Sequence, residues 1–91
     1  MASLAGEMAL RKATAARLAE RVLNELVVTR QWQNTSPSGT ITDGNQEYRW
    51  QMRLETWNPG TLRLLTVQVI FPVQGQDHDV QLSTLVDTSV L

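Results

Sequence analysis

The chain contains no cysteine, which excludes disulfides, thiolate metal sites and cysteine nucleophiles and leaves the redox compartment open. It has one histidine, His78, so any Ser-His-Asp arrangement would have to use it. No Ser sits in a Gly-x-Ser-x-Gly elbow, no glycine-rich phosphate loop occurs, and no carboxylate pair is placed for acid–base work. No run of eighteen apolar residues is present, so residues 1–91 hold no membrane-spanning stretch. Basic residues are no more plentiful: 8 Lys and Arg stand against 9 Asp and Glu, a net charge of −1, which argues against a nucleic-acid partner. Proline is scarce too, with 3 in 91 residues, enough for one domain and too few for two. None precedes Pro37 and no glycine lies between Gly6 and Gly39, so the first third is free to be one helix.

That third organises the chain. Advancing by about 100° per residue places Leu18, Val22, Leu23, Leu26 and Val27 on one half of a helix, with Arg17, Glu20, Arg21, Asn24 and Glu25 on the other. Leu4, Ala5, Met8, Ala9, Ala15, Ala16 and Ala19 continue the same arc toward the start, where alanine dominates. About 26 residues at 1.5 Å each make a rod of roughly 40 Å, longer than a domain of this size is wide. Part of it is therefore expected to protrude, its first half relying on contacts from outside. Lys12 intrudes on the arc and is expected to snorkel, while Glu7 with Arg11 and Arg21 with Glu25 stand at i,i+4 on the solvated side. Met1-Ala2-Ser3 runs straight into the helical pattern without a capping box, as a chain cut inside a longer helix would; the alternative is Ser3 as an N-cap.

The helix is expected to end between Thr29 and Gln33, where β-branched Val27, Val28 and Thr29 give way to the polar stretch Asn34 to Gly39. A short extended piece, Gly39 to Thr42, and a hairpin signal at Asp43-Gly44 follow. From Gln46 to Thr56 the alternation is clean: Tyr48, Trp50, Met52 and Leu54 against Glu47, Arg49, Gln51, Arg53 and Glu55. Asn58-Pro59-Gly60 supplies the residues a type II turn favours. The next strand is predicted over Leu62–Phe71, with Leu65, Val67, Val69 and Phe71 inward; Pro72, which cannot donate to a ladder, is expected to open a turn through Gln74–His78. Asp79 to Val86 makes the last strand, with Val80, Leu82, Thr84 and Val86 inward. The fold class is α+β: a long N-terminal helix packed on a three- to four-stranded antiparallel meander.

Several residues carry more than one reading. Trp50 is expected in the core, Trp57 over the end of the sheet or against a partner, and Trp32 either over the last helical turn or toward a neighbour. Asp77-His78-Asp79 has the composition of a metal site, but side chains that alternate along an extended strand cannot converge on one ion, and a structural turn is the simpler reading. Leu62, Leu64, Ile70 and Leu85 are apolar where alternation calls for polar residues, either as ordinary exposed aliphatics or as a patch facing a partner or an exported substrate. Charge is uneven: residues 1–30 hold five basic side chains (Arg11, Lys12, Arg17, Arg21, Arg30) and three acidic ones (Glu7, Glu20, Glu25). Beyond Arg63 only Asp77, Asp79 and Asp87 are charged. Such a distribution steers association between copies or paralogues more than it stabilises it.

The order of elements resembles the soluble part of type IV pilin-like proteins, and more closely the minor pseudopilins of the type II secretion system, the GspI kind. The residues that carry the resemblance are Ala15 to Leu26 at the helix end, Gly39 to Gly44, Tyr48-Arg49-Trp50-Gln51, and Leu62-Arg63-Leu64-Leu65-Thr66-Val67-Gln68-Val69 followed by Phe71-Pro72, within residues 10–86. It implies a pilin-like subunit with no catalytic role and no cofactor, made with a cleaved leader, methylated, held in the bacterial inner membrane by a preceding apolar segment, and incorporated into a periplasmic fibre with other minor pseudopilins at its tip. The leader cleavage site and the glutamate that follows it in the family are absent from this sequence. A minor pilin of a type IV pilus or DNA-uptake fibre shares the architecture. The residues expected at interfaces are Leu4, Ala5, Met8, Ala9, Leu10, Ala16 and Leu23 on the helix and Leu62, Leu64 and Ile70 on the sheet.

Overall fold

The computed structural model describes residues 4–33, 37–57 and 60–88, with side chains from residue 6 onward. Helix α1 spans Leu4–Thr29 and is followed by one turn of 3-10 helix, Gln31–Gln33. Four strands follow: β1 (Ser38–Asp43), β2 (Gln46–Thr56), β3 (Leu62–Val73) and β4 (Gln76–Asp87). They form one antiparallel sheet in the order β1-β2-β3-β4. The helix lies across one face, chiefly over β3 and β4.

The covered face is built from cross-strand rows set by the register. Trp50 pairs with Val69 and Val69 with Val80; Met52 with Val67 and Val67 with Leu82; Leu54 with Leu65 and Leu65 with Thr84. Ala15, Leu18, Ala19, Val22 and Leu26 close on these rows from above, and Leu65, Val67, Val69 and Phe71 lose essentially all contact with solvent. Burying each such aliphatic or aromatic side chain contributes about 1.5–3 kcal/mol, which fixes the sheet's register, since a slip of one residue would turn the whole set outward. Tyr48 and Phe71 meet with ring centroids 5.9 Å apart, tilted by 46°.

Arg30 ends the helix at φ 59°, the left-handed conformation that stops helical hydrogen bonding. The chain then turns so that Trp32 enters the buried cluster. Its side chain is therefore part of this domain's own core.

The hairpins follow the turn chemistry with two adjustments. The β1–β2 turn is Gly44-Asn45 rather than Asp43-Gly44, because Asp43 already pairs with Gln46; Gly44 supplies the positive φ of 63°. The β3–β4 turn is Gln74-Gly75, with φ of 51° and 82°.

Strand β3 runs through Pro72 to Val73, contrary to the expectation of a turn there. The β2–β3 ladder stops at Ile70 opposite Arg49, so beyond that point β3 has no partner on the β2 side and a missing donor costs nothing. Pro72 pairs with Asp77 on the other side, and β4 accordingly starts at Gln76, not Asp79. Asp77-His78-Asp79 thus lies in a strand and not in a turn.

This extension changes what the helix rests on. With 12 residues each, β3 and β4 reach about 40 Å at 3.3 Å per residue, the same length as the 26-residue helix. The hairpin end reaches Met8, which lines a cleft with Val73, Gln74, Gln76 and His78. The helix is therefore floored from Met8 to Leu26, further toward its start than the sequence suggested. At the opposite end, Leu54 takes the core face as the alternation predicts but is 37% exposed, and Trp57 is 45% exposed. Trp50 is half-buried, packed against the core.

Candidate interaction surface

The apolar surplus of the helix lies along its sides. Ala9, Ala16 and Leu23 recur every seven residues on the flank toward β4, with Ala9 exposed and the other two half-buried. Val27 follows Ala9 by eighteen residues, about five turns, and so stands in line with it, 39% exposed. Leu10, about 100° round the helix from Ala9, is 67% exposed on the solvent side, and Val28, in line with Leu10, is 81% exposed. Of the helix residues expected at an interface, the structure thus aligns Ala9, Ala16 and Leu23, places Met8 against the domain's own core and sets Leu10 apart. The side chains of Leu4 and Ala5 lie outside the described residues.

The outer sheet face is divided. Leu64 pairs with Leu85, and Leu62 lies at the same end of β3. Ile70 is six residues from Leu64, roughly 20 Å along the strand, between Arg49 and Asp79. A polar lattice separates them. Gln51 Nε2 donates to Gln68 Oε1 at 2.6 Å, and Gln68 Nε2 and Gln81 Nε2 each donate to Asp79 Oδ2 at 2.9 Å. The hydroxyls of Thr66 and Ser83 are 2.7 Å apart, and Arg49 Nη2 donates to Asp77 Oδ2 at 3.1 Å. Leu62, Leu64 and Ile70 therefore form no single patch.

Hydrogen bonds from Gln81 and Gln68 hold the Asp79 carboxyl below its ordinary pKa, helped by His78 and Lys12 and opposed by slight desolvation. His78 points the other way, toward the core face, its ring centroid 6.1 Å from that of Phe71. The two aspartates and the histidine therefore do not converge, and among the described residues no group of three or more His, Cys, Asp or Glu is placed to hold a metal. On the helix, Arg17 bridges to Asp43 at 3.0 Å. Glu7 with Arg11, and Arg21 with Glu25, do not close as ion pairs.

Two hollows flank the helix. One of about 220 Å³ lies between α1 and the β1–β2 side, over Ile41 and Trp50. The other, of about 280 Å³, opens at the free side of β4 and is lined by Val27, Arg30, Trp32, Leu85, Val86 and Asp87. Sequence reasoning missed this second hollow. Val27 and Leu85 both counted there as apolar, yet their juxtaposition depends on how the helix end docks against the last strand.

Among the described residues, no helix is long and apolar enough to cross a membrane. Residues 10–87 match the family model described as type II secretion system (T2SS), protein I. No curated protein and no solved structure matches the chain. The match takes in all of the sheet and most of the helix, in the α+β pilin-like arrangement, and the family is a structural component of a secretion system and not an enzyme family. The chain belongs to the type II secretion system protein I family, the GspI pseudopilins.

Proposed function

We propose that this protein is a minor pseudopilin that enters a periplasmic pseudopilus by packing the flank of its helix against the helices of other minor pseudopilins at the tip. The observation that carries this reading is the line Ala9, Ala16, Leu23 and Val27, a partly uncovered apolar stripe beside β4. Its seven-residue spacing suits a neighbouring helix at a shallow left-handed crossing, and its alanines permit close approach. Family membership supports the rest: an apolar segment preceding residue 1 that anchors the native chain in the bacterial inner membrane, with this domain in the periplasm. Size-exclusion chromatography with sibling pseudopilins tests the proposal. Co-elution that is lost in Ala16→Arg and retained in Leu10→Ser is the expected result; failure to form a complex with any sibling would overturn it. The polar lattice on the outer face disfavours the rival reading of a substrate-capturing sheet, because it breaks the aliphatic surface that capture would use.

A further inference from the structure

Strand β4 ends the sheet, and over its 12 residues it pairs with β3 without a bulge. It contains no proline, glycine, lysine or arginine and no bulge, so of the usual devices that stop a second chain from adding to an edge it keeps only acidic charge, which a basic segment would meet favourably. Its charges are all acidic: Asp77 and Asp79 on the outer face near one end, Asp87 at the other. Beside the same edge lies the hollow floored by Trp32 and Val86 and flanked by the exposed side chains of Val27 and Leu85. A bare edge with a side-chain pocket alongside is the arrangement by which a sheet takes up an extended peptide, the main chain giving affinity and the pocket giving specificity.

We propose that the free edge of β4 receives an extended segment of a neighbouring subunit, antiparallel like the rest of the sheet. The segment carries an aliphatic residue for the Val27–Leu85 hollow and basic residues for Asp79 and Asp77. Spacing fixes the match: the hollow opens on the helix-covered face, where Val86 points, whereas Asp79 and Asp77, seven and nine residues before it, point from the outer face, so the partner presents Lys or Arg seven and nine positions after its aliphatic anchor. Charge complementarity selects the partner's basic character. The choice of a neighbouring subunit rests on the proposed function, because Val27 joins the hollow to the helix flank on which that neighbour would sit.

The test uses a capped ten-residue peptide with Leu at its first position, Lys at its eighth and tenth, and Thr, Ser and one Val elsewhere. Titration followed by amide NMR is expected to show binding, with new exchange protection along β4. Affinity should fall by about tenfold in the Asp77→Lys/Asp79→Lys variant and weaken with salt. Two further peptides, N-methylated on odd or on even backbone nitrogens, remove any dependence on variant folding. Strand pairing requires that one of them loses binding and the other keeps it. Loss in both, loss in neither, no binding at all, or shifts centred on Trp50 would overturn the proposal. So would sedimentation showing that the free chain pairs with itself through β4. If siblings co-elute with the wild-type chain and equally with Asp77→Lys/Asp79→Lys, the edge proposal fails while the pseudopilin reading stands; if they never co-elute, the pseudopilin reading fails whatever the peptide does.

Discussion

The indole of Trp50 lies directly over Gly39, its partner across the β1–β2 ladder: a β-carbon at Gly39 would sit 2.9 Å from Trp50 Nε1. Glycine is required here by close approach, not by backbone conformation. Gly39→Ala should push the indole off the core or β1 off β2 and destabilise the domain by about 1–3 kcal/mol. A chemical denaturation midpoint unchanged from wild type would show that the ring has room to move.

Leu65 lies on the inner strand β3, between Leu54 and Thr84, with no exposed surface. Truncation leaves a cavity that neighbours held by two ladders cannot collapse into, so Leu65→Ala should cost about 2–5 kcal/mol. Leu85→Ala, at 46% exposure on the edge strand, should cost well under half as much. Equal losses at the two sites would contradict the assignment of inner and outer faces.

Gly75 holds φ 82° in the β3–β4 turn. Gly75→Ala should destabilise by about 1–2 kcal/mol through the left-handed penalty alone, with the NMR fingerprint of the core rows unchanged. A large redistribution of core shifts would mean that the turn does more than close the hairpin.

Asp79 gives the chain an acid-sensitive bond. Its folded pKa lies below the unfolded value, so its contribution to stability is fully present above the unfolded pKa of about 4 and is lost as pH falls through the folded one. The carboxyl is exposed and the effect correspondingly small. In thermal melts, wild type should exceed Asp79→Asn at neutral pH and converge with it as pH falls through the lowered folded pKa. A gap that stays constant on acidification would remove Asp79 from the account.

Much of this architecture was legible in the sequence because two periodicities are so distinct. Leu18, Val22 and Leu26 repeat with the helical turn, while Tyr48, Trp50 and Met52 alternate with the pleat; β2 falls over Gln46–Thr56 as the alternation predicts. What was not legible depends on neighbours. Pro72 reads as a strand breaker until the β2–β3 ladder is seen to stop two residues earlier, at Ile70. Met8 reads as surplus on the helix until the longer hairpin is found beneath it. Leu62, Leu64 and Ile70 read as one patch until the register inserts Thr66–Ser83 and Gln68–Gln81 between them. The interface stripe lies between these cases, for its apolar character is in the sequence but its exposure depends on which side of the helix the sheet takes.

Because the strands stand in space in the order in which they occur along the chain, each ladder is closed by a connection of only a few residues. Closing such short loops carries a low entropic cost, so the sheet can zip up hairpin by hairpin, with little search between distant parts of the polypeptide. The helix rests on β3 and β4, the last two strands in the chain, so its docking closes the longest separation in sequence, and the meander gives it a finished platform.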